Sequence, residues 1–291
     1  MKQKHLSLSL GLVVLLCMST AFAQTYTFQT VNYPGDTFTQ LLGINNHNVI
    51  AGYHGATVNQ GFTYVLSTNT FTDENYPGSQ QTQVIGIDNN SDTAGFYIAK
   101  GKTVGFTDIH GTFKSVAYPK RIFDQLLSLN DVSQAVGYYN TNGKGTGPNT
   151  AYVYDEGGGG IFEVFEIPAS VSAQATGINN SSNVCGFYAD AKGVNHGWIQ
   201  VFGRFIVLNY PSSTGTQALG LNNKGLVVGF YTDTSSNSHG FVYTIKSASF
   251  QSIDDPSGIG TTIVNGINDK GVLVGFYGTA PVNSGFVATP Q

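Results

Sequence analysis

Two acid–imidazole spacings stand out in the chain: Asp190 to His196 and Asp233 to His239, each six residues apart. Across a hairpin, that spacing sets a carboxylate opposite an imidazole, the geometry of a general acid–base dyad. The same pair in two equivalent places also suits a brace that holds the hairpin, because a brace can be copied where a catalytic centre is asymmetric. Asp124 is a third carboxylate for such chemistry, and Asp36 and Asp255 lie in comparable loops. Glycoside hydrolysis needs two carboxylates across one bond. Glutamates are scarce, and Glu74, Glu156, Glu163 and Glu166 recur at no common position. The catalytic candidates are thus Asp124, Asp190, His196, Asp233 and His239, and the case for an enzyme is the thinner one.

A second set of residues suits binding. Gln40, Gln83, Gln125, Gln174 and Gln217 each stand three residues before a Gly-Ile-Asn-like triplet, and Ile263 takes the sixth place. Amides repeated at one level either converge on a shared ligand or bond the backbone of the neighbouring repeat. Tyr33, Tyr76, Tyr118 and Tyr210 each precede a proline. Their flat, amphipathic faces suit sugar rings, and they equally suit packing between repeats.

Other motifs fail on their own chemistry. Asp88-Asn89-Asn90-Ser91-Asp92 opens like a calcium loop, but Thr93 replaces the required glycine. Gly143-Lys144-Gly145-Thr146-Gly147 lacks the spacing of a phosphate loop. Cys185, between Val184 and Gly186, is expected to be an inert core thiol. No metal site and no cofactor is expected.

These residues are positioned by a repeat. The triplet recurs at Gly43, Gly86, Ser128, Gly177, Gly220 and Gly266, in steps of 43, 42, 49, 43 and 46 residues. That is the length of a four-stranded propeller blade. Each copy holds a strand ending in Gly-Ile-Asn, a tight turn such as Asn222-Asn223-Lys224-Gly225, and a strand ending in an aromatic pair such as Phe230-Tyr231. A third strand begins with Gly-Phe or its equivalent, and a fourth carries a Phe and stops at Pro34, Pro77, Pro119, Pro168, Pro211 or Pro256. Proline cannot donate to a ladder and belongs at a strand end. A fourth-type strand, Tyr26 to Tyr33, precedes the first triplet, and the last repeat lacks one. The spacing therefore predicts an all-β, six-bladed β-propeller with four-stranded blades over residues 24–291, its N-terminal strand completing the last blade. Closure of this kind removes sheet edges.

The Gly-Ile-Asn, Val-x-Gly and His-x-Phe elements, the last as His196-Gly197-Trp198 and His239-Gly240-Phe241, resemble the bacterial HAF-type extracellular repeat family over all six repeats. Gln60, Val104, Thr150 and Ser284 stand where four repeats lack the histidine. The resemblance implies an exported repeat protein and brings no activity with it. By resemblance to other propellers, the first strand of each blade lines a central channel.

The composition agrees. Only 10% of residues are charged, against roughly 25% in an average domain, while 37 glycines, 19 Phe and 16 Tyr suit turns and strands. A net charge of −4 gives no basic surface for nucleic acid. Lys2 and Lys4, the apolar run to Met18 and the Ala21-Phe22-Ala23 site read as a signal peptide over residues 1–23, with no later membrane span. The expectation is a secreted, extracellular or periplasmic monomer that binds a polysaccharide or a cell-surface protein. The alternatives are a polysaccharide hydrolase or lyase and a structural surface repeat.

Overall fold

The structure is a computed structural model that describes residues 24–140, 142 and 146–291. The expected leader and the Gly143–Gly145 part of the glycine-rich loop lie outside the described residues. Among the described residues, twenty-four strands form six four-stranded antiparallel sheets, as the repeat arithmetic requires. The first strands of blades one to six are Thr39–Ile44, Gln81–Ile87, Asp124–Leu129, Ser172–Ile178, Gly215–Leu221 and Ile263–Ile267. In blade six the outer strand is the N-terminal one: Tyr26–Val31 pairs with Val282–Pro290 in a register that sets Tyr26 opposite Pro290 and Val31 opposite Gly285.

The glycine of Val-x-Gly has a steric cause. A Cβ at Gly186 would lie 2.0 Å from the Gln174 carbonyl oxygen of the first strand and 2.8 Å from the Trp198 ring of the third. The third-strand aromatic thus covers a bare backbone, and Phe62, Phe106, Tyr152, Trp198, Phe241 and Phe286 are all buried in this role. The glycine of Gly-Ile-Asn marks a second close approach, between neighbouring first strands: a Cβ at Gly266 would lie 2.5 Å from the Leu42 carbonyl oxygen of blade one.

Every first strand also carries a bulge just before this position, at Leu42, Ile85, Leu127, Thr176, Leu219 and Asn265. The extra residue breaks the two-residue alternation. Up to the bulge the alternation holds: the glutamine and the bulge residue both face the channel, while Leu41 between them is buried inside its blade. Hydrophobic clusters fill the seams between blades, as around Cys185, Ile199, Leu208 and Phe241.

Candidate functional site

The first strands wall a cavity of about 550 Å³, open at the glutamine end. Small-molecule sites commonly span roughly 300–1,000 Å³. Gln40, Gln83, Gln125, Gln174 and Gln217 all line it, with the six bulge residues deeper in. Tyr53, which stands alone in its repeat, and Phe96 and Phe187, each the first member of its aromatic pair, face the same space. Among the described residues the wall carries no carboxylate, imidazole, amine or thiol.

The wall has two halves. In blades one to three the amides are engaged: the Tyr53 hydroxyl donates to Gln40 Oε1 and the Tyr138 hydroxyl to Gln125 Oε1, both at 2.6 Å, and Gln83 Nε2 donates to Asn59 Oδ1 at 2.7 Å. These partners are side chains rather than the backbone of the next blade. The bulge residues on this side are Leu42, Ile85 and Leu127. In blades four and five the cross-strand neighbours of Gln174 and Gln217 are Phe187 and Phe230, which offer no hydroxyl. Among the described residues no hydrogen bond holds either side-chain amide. Asn265 Oδ1, in the bulge of blade six, is buried with no partner. On one flank, beside Leu42, Ile85 and Leu127, each glutamine is thus held by one end of its amide, and on the other, beside Phe187 and Leu219, Gln174, Gln217 and Asn265 are held by neither end.

The opposite end of the channel is closed by asparagines. The last residue of each triplet caps its own turn, as where Asn222 Oδ1 accepts from the N–H groups of Lys224 and Leu226, both at 3.0 Å. Asn222 Nδ2 then donates to the Asn268 carbonyl of the next blade at 2.9 Å, and Asn268 Nδ2 donates to the Asn45 carbonyl at 3.0 Å across the ring closure. Asp88 stands in this series without an amide to donate, and burial pushes its carboxyl up to about 6 against the pull of the turn N–H groups. One residue further on, a second belt closes completely. The backbone N–H groups of Asn46, Asn89, Asp131, Asn180, Asn223 and Asp269 each donate to the side-chain oxygen of the next member. Only about 60 Å³ stays open there.

The acid–imidazole pairs are present and fully engaged. His196 Nε2 lies 3.4 Å from Asp190 Oδ2 and its Nδ1 lies 2.9 Å from Asn209 Oδ1. His239 repeats this with Asp233 at 3.4 Å and Asp254 at 2.9 Å. Asp190 Oδ1 meanwhile accepts from the Lys192 and Val194 N–H groups. The Val194 N–H leads the interactions that hold the Asp190 carboxyl below its ordinary value, and the Asn237 amide and N–H hold Asp233 down to about 2. Burial opposes charge on His239, but Asp254 and Asp233 together raise its pKa. This is the arrangement of a hairpin brace, and neither pair lines the channel cavity.

Asp124 is fully buried behind the channel wall. Its Oδ1 accepts from the Tyr152 hydroxyl at 2.6 Å and its Oδ2 from the Tyr118 N–H at 2.9 Å. Thr39, Thr82, Thr216 and Thr262 accept the same N–H in other blades, where the ring opposite is Phe62, Phe106, Phe241 or Phe286. Asp124 is thus matched to the one hydroxylated ring in the series, and burial pushes its carboxyl up to about 7.

The tyrosines before proline sit at the seams. Tyr33 stacks on His54 at 3.6 Å, Tyr76 on Tyr97 at 3.8 Å, Tyr118 on Tyr139 at 4.2 Å and Tyr210 on Tyr231 at 3.6 Å. Their rings are half-buried in blade packing, and none lines the channel. Cys185 is fully buried, and its thiol is pushed up to about 12 by burial. Sequence reasoning missed Asn265 and Thr176, although each stands two residues after the glutamine level, where strand alternation returns to the same face. The tyrosines opposite Gln40 and Gln125 were legible in the sequence, but Gln83 stands opposite a Phe and is engaged by Asn59 instead.

Known structures share this fold. TolB from Acinetobacter baumannii superposes with a TM-score of 0.57 at 12% identity, over 74% of this chain and 54% of its own, so the chain spans about half of TolB. A lectin from Aleuria aurantia, solved with Fucα1-6GlcNAc, gives 0.54 at 9% identity over 88% of this chain and 96% of the lectin. A chain of a nidogen/laminin complex gives 0.51 at 11% identity, over 78% and 84%. No protein-family model and no curated sequence matches the chain. At these identities the likeness shows a β-propeller and nothing finer.

Proposed function

We propose that the protein is an exported binding module whose open channel mouth takes a neutral, hydroxyl-rich ligand, such as the end of an extracellular glycan. The observation that carries this reading is the mixed, uncharged wall: Leu42, Ile85, Leu127, Phe96, Phe187 and Leu219 supply apolar surface, and the unengaged Gln174, Gln217 and Asn265 lie together on the side of blades four to six. A sugar has the same division, with a C–H face that packs on apolar surface and hydroxyls that need both donors and acceptors. A wall without formal charge favours such a ligand over an ionic one. Export is supported by the basic and apolar leader sequence and by the likeness of the motifs to HAF-type repeats. A lectin among the structural neighbours is compatible with the reading.

Affinity electrophoresis through gels cast with single polysaccharides tests it. A retarded band without clearing of the polymer is the expected result. A cleared zone would point instead to a hydrolase or lyase, and the absence of both across a broad panel would overturn the glycan reading.

A further inference from the structure

The seams between blades two and three and between blades three and four share one register and are filled differently. At the first of them a lysine fills the space: Lys114 Nζ donates to Glu156 Oε1 at 2.6 Å and to the Tyr154 hydroxyl at 3.2 Å, and lies 5.8 Å from the Tyr154 ring centre. A cation there is held between a carboxylate and aromatic surface. At the next seam the strand register puts Glu163 in the place of Lys114 and Gln200 in the place of Tyr154. Ile167 also stands where Tyr33, Tyr76, Tyr118 and Tyr210 precede proline in four other repeats. The result is an open groove of about 480 Å³ whose lining, among the described residues, holds no lysine or arginine.

Phe165, Trp198 and Phe205 form one aromatic run along this groove, with successive ring centres 5.6 and 5.8 Å apart. Glu163 and Glu166 line it and are exposed. Trp198 is fully buried, and its Nε1–H has no hydrogen-bond partner. Around the groove, Ile161, Val164, Phe202 and Val207 are exposed on the same outer strands and the turn between blade four's third and fourth strands. Scattered exposed apolar residues need no explanation, but several beside an unfilled aromatic groove mark a contact surface.

We propose that this groove is a second binding site, and that it takes a lysine or arginine side chain of a polypeptide partner. The cation sits against the aromatic run with Glu163 and Glu166 as its counter-charges, repeating from outside what Lys114 does within the chain. Apolar residues flanking it in the partner rest on Val164, Phe202 and their neighbours, which is why a polypeptide is favoured over a free amino sugar.

Trp198 is the only tryptophan, so its fluorescence reports on this groove directly. The probes are acetyl-Val-Lys-Val-amide, the same peptide with norleucine for lysine, and glucosamine. The lysine peptide is expected to give a saturable change, weakened about tenfold or more by Glu163→Gln with Glu166→Gln. Both side chains are exposed, so the variant should melt like the parent, which a thermal scan checks. Gln174→Leu with Gln217→Leu should leave this signal unchanged, so the groove and the channel stand or fall separately. Equal binding of the norleucine peptide would overturn the role of the cation. Glucosamine binding as tightly as the peptide would overturn the polypeptide assignment, and the lack of any saturable change would overturn the site.

Discussion

The two mouths of the channel are made by the same six strands, a few residues apart, and they use their polar side chains in opposite ways. At the narrow end each asparagine satisfies its own turn and also reaches the next blade, so Asn268 bonds Lys270, Val272, Asn45 and Asn48 at 2.9–3.0 Å. At the wide end Gln174 and Gln217 bond none of the described residues through their side chains. Buried polar groups ordinarily find partners. A spent amide therefore marks structure, and an idle one facing a cavity marks a place for something else. Repetition alone does not separate these cases, because both rings recur blade after blade.

The sharpest way to break the comparison is to remove one member of the narrow belt. Asn268→Ala deletes four hydrogen bonds in a buried setting and is expected to lower stability by about 3–5 kcal/mol in urea unfolding. An unchanged midpoint would mean the belt is ornamental.

Asp124 tests the exception, a polar residue beside the wide end that is structural. Asp124→Thr alone strands the Tyr152 hydroxyl and should cost about 2 kcal/mol, and adding Tyr152→Phe should recover most of it, as a double-mutant cycle would show. The pH dependence follows from the same group. Its folded pKa is raised from 3.8 to about 7, so the folded state holds a proton that the unfolded state releases. Its contribution is most favourable below the unfolded value and is lost as pH rises through about 7. The double variant should show a flatter fall in melting temperature over that window, and an identical slope would contradict the assignment.

At the wide end, Gln174→Leu and Gln217→Leu should each weaken retention on the responsive polysaccharide about tenfold, with stability held within about 0.5 kcal/mol. A large loss of stability would show that these amides are structural after all. The smallest effect sharpens the belt: Asp88→Asn supplies the missing amide and should stabilise by about 1 kcal/mol. The gain should grow as pH rises from 3.8 through about 6, the range in which the buried Asp88 carboxyl is forced to ionise. A gain independent of pH would mean that charge at this position is immaterial.

The propeller was legible because the repeat carries its own registers: Gly-Ile-Asn for close approach between first strands, Val-x-Gly for the covering ring, and proline for the strand end. The phase of Tyr26 to Tyr33 gave away the closing strand. The brace of Asp190 and His196 was also legible, from its duplication. What stayed hidden depended on contacts between blades. The asparagines read as turn residues, since the carbonyl that each reaches belongs to a strand more than 40 positions away. Asn265 and Thr176 face the channel from positions whose neighbours lie in other blades, and the groove at Glu163 depends on how blades three and four meet.

The most direct measurement is the side-chain amide region of a ¹H–¹⁵N spectrum, recorded as the sugar released from the responsive polysaccharide is added. The account predicts that the Gln174, Gln217 and Asn265 amide signals move together and saturate, while those of Asn222 and Asn268 stay in place. Movement confined to the belt amides, or no movement at the glutamines while the sugar demonstrably binds, would contradict it.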